Sequence, residues 1–156
     1  MPTVHLLSRA VVRDANHVLV VRADGHPHTF LPGGHREPGE GLEACLRREL
    51  HEELGVASSI ERYLGGVEHS WRRDGEPQYE INHCFLVDVP SLTADTTPRA
   101  REEHLSFAWA PAADLGTVSL EPAPLRHLLT NGTAPRAPWW ASTLSDEAGR
   151  SVRPRS

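Results

Sequence analysis

Apolar and polar positions alternate with a period of two in several stretches of the chain and repeat with a helical period in one. Val4 to Val12 and His17 to Arg22 read as two strands, with Asp14, Ala15 and Asn16 at the turn between them. Leu31-Pro32-Gly33-Gly34 reads as a loop by its Pro and Gly content, and Pro38, Gly39 and Gly41 mark another. Leu42 to Leu54 is helical, with Gly55 as its stop. An extended stretch follows from Ile60 to Trp71, and Asp74-Gly75 signals a hairpin. Tyr79 to Val89 then alternates. Tyr79, Ile81, His83, Phe85, Val87 and Val89 share one face, and Glu80, Asn82, Cys84 and Leu86 the other. Ser91 to Ala100 is a polar loop, Leu105 to Ala110 a strand, and Pro124 to Thr130 a short helix. Strands interleaved with helices predict an α/β domain with a mixed sheet over residues 1–132. From 133 to 156 the composition shifts to Pro, Ala, Ser and Arg. That predicts a tail that docks through Trp139-Trp140, on the domain or on a second subunit of a homodimer, and then frays.

Composition narrows the function. A chain of 156 residues, 38% hydrophobic and 24% charged, fits one globular domain with a real core. No stretch approaches the roughly 20 apolar residues of a membrane helix. The opening segment is broken by Arg9 and lacks a cleavage site, so no secretory signal is expected and the expected location is cytoplasmic. Cys45 and Cys84 are then free thiols, read as small buried apolar residues. A net charge of −5 without a basic run disfavours nucleic-acid polymers as partners. All 16 basic residues are Arg, which excludes a P-loop lysine or a Schiff base.

The helix carries the candidate chemistry. Leu42, Cys45, Leu46, Leu50 and Leu54 form its apolar stripe. Glu49 and Glu53 fall within about 20° of Leu42's direction at 100° per residue, and Glu52 flanks them. The inward face is therefore apolar early and acidic late. Such carboxylates repel one another and lose hydration, so a cation is the natural neutraliser. Oxygen-only ligands point to a hard ion, Mg²⁺ or Mn²⁺. On this geometry alone, a solvated acidic face remains the alternative.

The surrounding spacing is more specific. Gly34, five residues, Glu40, seven residues, then Arg48-Glu49-Leu50-His51-Glu52-Glu53-Leu54-Gly55-Val56 matches the Nudix box without a gap. At residue frequencies of about 7% each, a chance match to the seven fixed positions anywhere in the chain is roughly one in a million. Leu31-Pro32-Gly33 before the box, and Trp109-Ala110-Pro111 with Asp114-Leu115 after it, also resemble the family.

That resemblance implies an α/β/α sandwich and hydrolysis of a diphosphate linkage in a small phosphorylated, nucleotide-derived substrate. It implies Mg²⁺ or Mn²⁺ held by Glu49, Glu52 and Glu53, with the Gly33 carbonyl as a further ligand. Arg48 and Glu40 would pair to hold loop and helix in register, and Gly34 and Gly55 would serve tight turns. The general base would be Glu53 or Glu49, or a later-loop residue, Glu102 or Glu103. Arg36, Glu80 and Trp71 are the candidate substrate contacts, Trp71 by stacking on a base. Arg72, Arg73 and the histidines, including His35, His51, His69 and His83, read as ordinary residues. The box specifies no substrate; nucleotide sugars, nucleoside triphosphates and non-nucleotide phosphates all remain. Two other function classes share the fold: a non-catalytic ligand-binding module, which usually lacks box carboxylates, and an isoprenoid diphosphate isomerase, for which Cys84 is the available thiol.

Overall fold

A computed structural model describes residues 3–130, 132–147 and 150–151. Its strands are β1 (Thr3–Val11), β2 (Arg13–Asp14), β3 (His17–Ala23), β4 (Gly33–His35), β5 (Ser59–Arg73), β6 (Glu76–Asp88), β7 (Leu105–Pro111), β8 (Trp139–Ser142), β9 (Ser145–Glu147) and β10 (Arg150–Ser151). Its helices are α1 (Leu42–Leu54) and α2 (Pro124–Thr130).

Strand β6 organises the larger sheet, whose order is β4-β1-β6-β5-β8. It pairs parallel with β1 and antiparallel with β5, while β5 takes β8 parallel at its other edge. A second sheet, β2-β3-β7, is antiparallel. The alternation read in Tyr79 to Val89 sends successive side chains into two cores. Cys84 packs with Val11, Leu64, Val67 and Trp139 beneath Leu125 and Leu129 of α2. Phe85 and Val87 pack with Ala10 and Phe107 beneath Leu46 and Leu50 of α1. The sheets are thus covered on both sides by helices, the α/β/α arrangement expected.

Two glycines make close approaches that their composition disguised. Gly33-Gly34 was expected in a loop. Instead Gly33–His35 is a strand, with Arg9 opposite Gly33 and Ser8 opposite Gly34. Gly33 has φ +139°, and a Cβ there would lie 2.0 Å from the Ser8 carbonyl oxygen. The glycine that reads as a loop residue is what lets this strand approach β1.

Gly65 plays the same part at the opposite edge. It has φ +151°, and a Cβ would lie 2.3 Å from the Trp139 backbone nitrogen. Trp139 is buried in the α2-side core, and Trp140 lies over Gly66 on the other face. The tryptophan pair is therefore part of a sheet strand. β9 then pairs antiparallel with β10 where fraying was expected, and residues 152–156 lie outside the described residues.

Trp139→Ala removes a buried aromatic and is expected to cost about 3–5 kcal/mol. Urea unfolding of the full chain checks it; a midpoint equal to that of the wild type would show that β8 contributes nothing to the core.

Candidate active site

Helix α1 starts at Gly41 without a side-chain cap and stops at Gly55, whose φ of 69° is left-handed and whose N–H donates to the His51 carbonyl. Those ends place Arg48, Glu49, Glu52 and Glu53 over the loop that follows β4. Arg48 ties the two together. Its Nε donates to Glu40 Oε2 at 2.7 Å and its Nη2 to Glu40 Oε1 at 2.9 Å, a two-pronged charge-assisted pair. Nη2 also donates to the His35 carbonyl at 3.1 Å. Nη1 reaches Glu49 Oε1 at 2.9 Å and Glu52 Oε2 at 3.2 Å. Arg48, joined by the Glu37 backbone N–H, holds the Glu40 carboxyl down to about 2. The exposed Arg36 donates to the Glu40 carbonyl at 3.1 Å, so it braces this loop as posed.

The late turn of α1 concentrates acid in the interior. Glu53 is 6% exposed, and its Oε2 has no hydrogen-bond partner. Burial, then the charge of Glu49, pushes the Glu53 carboxyl up to about 8, against the opposing charge of Arg9. Burial also raises Glu49, against Arg48. Gly34 makes room for this: a Cβ there would meet the Glu49 carboxylate at 2.6–2.8 Å. The loop before β7 is drawn in because the Arg101 N–H donates to the Glu53 carbonyl at 2.7 Å. Of the two later-loop candidates, Glu102 is the one whose charge is felt at Glu53, whereas Glu103 is exposed.

These residues fit a divalent cation. A buried carboxylate oxygen without a partner, beside a second carboxylate with a raised pKa, is a poor arrangement for the protein alone and a good one for a hard ion. No three His, Cys, Asp or Glu side chains among the described residues enclose an ion, and Arg48 is paired with both Glu49 and Glu52.

A cavity of about 730 Å³ opens on the α2 side of the sheet. Glu80 and Trp71 line it, together with Arg9, His28, His69 and Arg72. Trp71 is no stacking platform. Arg73 lies over its ring at 5.0 Å and His5 stacks at 6.1 Å, while its Nε1 donates to Glu80 Oε1 at 2.7 Å. Sequence reasoning missed Arg9. It donates to Asn82 Oδ1 and to the Leu31 carbonyl, and its charge reaches Glu53, so it joins the cavity to the acidic cluster. An Arg among the apolar residues of β1 was the available signal. Cys84 is fully buried, and burial pushes its thiol up to about 12, which leaves the isomerase alternative without a nucleophile.

The raised Glu53 fixes the sign of a pH effect. Its folded pKa of about 8 lies above the ordinary glutamate value of 4.5, so its contribution to stability is full below about 4.5 and is lost as pH rises through 8. In chelator-treated protein, Glu53→Gln should therefore become progressively more stable than wild type from about pH 5 to about pH 9. Thermal melts across that range read this directly; parallel curves would mean that Glu53 ionises as an ordinary surface carboxylate.

The NUDIX domain model matches residues 5–131. Nucleoside triphosphatase NudI from Escherichia fergusonii is 33% identical over 108 residues, covering 65% of this chain and 74% of that protein. The 8-oxo-dGDP phosphatase NUDT18 of Homo sapiens is 32% identical over 99 residues, covering 62% of this chain but 26% of that larger protein. Among solved structures, a mutator MutT protein from Bacillus halodurans superposes with a TM-score of 0.67 at 13% identity, covering 97% of this chain and 96% of that one. The Escherichia coli ORF135 protein superposes at 0.59 with 24% identity, covering 87% and 96%. These two show the fold. With the gapless box, the cluster at the end of α1 and a domain match across most of its length, the chain belongs to the Nudix hydrolase family.

Proposed function

We propose that this protein is a divalent-metal-dependent hydrolase that cleaves a phosphoanhydride in a nucleoside triphosphate, or in a nucleoside diphosphate linked to another group. The observation that carries the reading is the unpartnered, buried Oε2 of Glu53 beside Glu49. The substrate class is supported by relatives named as a nucleoside triphosphatase and an 8-oxo-dGDP phosphatase. A cavity of about 730 Å³, lined by Arg9, Arg72 and Arg73, suits a phosphorylated ligand of nucleotide size. No helix among the described residues is long and apolar enough to cross a membrane. We place the protein in the cytoplasm, where the buried Cys45 and Cys84 remain thiols.

In this reading Glu49, Glu52 and Glu53, with the Gly33 carbonyl, hold Mg²⁺ or Mn²⁺. Such an ion, when bound, would screen phosphate charge and lower the pKa of a coordinated water. With an ion bound, Arg48 would keep the fork on Glu40 that it already makes, holding the loop in register, and would release Glu49 and Glu52 to the ion. Glu53 collects the proton released as water adds to phosphorus and the bridging oxygen departs; Glu102 is the alternative base. Arg9 offers a positive charge between the cluster and the cavity, where a phosphate would pass.

Phosphate release from a panel of nucleotides tests this. Wild type should turn over nucleoside tri- or diphosphates with Mg²⁺ or Mn²⁺ and lose activity in chelator. Glu53→Gln should fall by about 10²- to 10⁴-fold. Undiminished turnover by that variant would remove Glu53 from the mechanism. A folded, metal-binding wild type inert toward the whole panel would favour the ligand-binding module.

A further inference from the structure

Glu80 is built into the cavity wall with more structure around it than a surface carboxylate needs. Trp71 Nε1 donates to its Oε1 at 2.7 Å, and Asn82 Nδ2 donates to its Oε2 at 2.7 Å. Asn82 is 1% exposed, and its amide orientation is fixed from both sides. Its Oδ1 accepts from Arg9 Nε at 3.2 Å, and its Nδ2 also donates to the Val67 carbonyl at 3.3 Å. Trp71 is in turn held between Arg73 and His5. The chain Arg9, Asn82, Glu80, Trp71 therefore fixes one carboxylate at the cavity surface. Each carboxylate oxygen accepts one bond from the wall and keeps acceptor capacity for another.

We propose that Glu80 reads the nucleobase, and that the preferred substrates carry a guanine-type edge. This rests on the cavity being the nucleotide site. A carboxylate presents two acceptors side by side and no donor. Guanine, oxidised or not at its five-membered ring, presents the matching pair, N1–H beside the 2-amino group. Adenine and cytosine place a ring acceptor next to their amino group, so one carboxylate oxygen would face a lone pair. Uracil and thymine flank their single N–H with carbonyls. Because Asn82 and Trp71 hold Glu80, it has little freedom to turn away from a wrong base. Discrimination of this kind is strong where a fixed polar group is left unpaired.

The test compares kcat/KM for GTP and ITP, which differ only by the 2-amino group, with ATP, CTP and UTP alongside, in wild type and Glu80→Gln. Wild type should prefer GTP to ITP by about ten-fold or more, and to the other three by at least as much. In Glu80→Gln, which replaces one acceptor with a donor, the ratio of GTP to ITP should fall toward one. Hydrolysis of nucleotides without a GTP preference in wild type would overturn the assignment and leave the hydrolase reading standing, as would a ratio that survives Glu80→Gln. If no nucleotide is hydrolysed, the dissociation constants of GDP and IDP for wild type read the same contact. Tighter GDP binding would then support the assignment while the hydrolase reading fails, and equal or absent binding would overturn both. The wild-type comparison needs no variant, so a destabilised Glu80→Gln cannot obscure the result.

Discussion

The site depends on one guanidinium. Arg48 forks onto Glu40 and so fastens a loop rich in glycine and proline to a helix that has no side-chain cap at its start. The same group touches Glu49 and Glu52, so it also restrains the acidic turn. Without it, the loop after β4 would lose its main tie to α1, and mutually repelling carboxylates would stand with no counter-charge between them. A lysine could supply charge but not the planar fork that binds both Glu40 oxygens while leaving a third nitrogen for Glu49. Arg48 thus serves four carboxylates, those of Glu40, Glu49 and Glu52 by hydrogen bonds and that of Glu37 at 3.7 Å.

Glu53 stands apart from this network and is only 6% exposed. Its nearest favourable charge is Arg9, delivered from β1, and burial outweighs it. A protein rarely keeps a buried carboxylate oxygen without a partner unless something else uses it. Leu46 and Leu50 are fully buried one and two turns before the acidic end, and the loop backbone at Arg101 closes over the Glu53 carbonyl.

Local periodicity made α1 legible, since both its apolar stripe and the inward drift of Glu49 and Glu53 repeat with the helix. The alternation in β6 was equally plain, and it correctly separated Phe85 from Cys84. What stayed hidden depends on pairing across long sequence distances. Gly33–His35 pairs with β1 because two glycines permit contact, and composition alone makes the same residues look like a loop. Arg9 becomes part of the site only when the parallel pairing of β1 and β6 sets it beside Asn82. Trp71 looked like a free ring, and the residues that cover its faces, His5 and Arg73, come from a different strand and from the hairpin end. Glu102 and Glu103 are neighbours in one loop and could not be separated by sequence; only in the fold, where the Arg101 N–H meets the Glu53 carbonyl, is the charge of Glu102 felt at Glu53.

The cavity wall and the acidic helix end share no secondary-structure element. Trp71, Glu80 and Asn82 belong to the β5–β6 hairpin, whereas Glu49, Glu52 and Glu53 belong to α1, and Arg9 on β1 stands between them. The hairpin end projects beyond the cores, so its side chains can be exchanged without repacking the residues under α1. On the proposed reading, the scaffold separates the reaction from the choice of molecule. On that reading, ligand preference can change one hairpin residue at a time while the acidic turn of α1 stays intact, a physical route by which one short motif could serve many different metabolites.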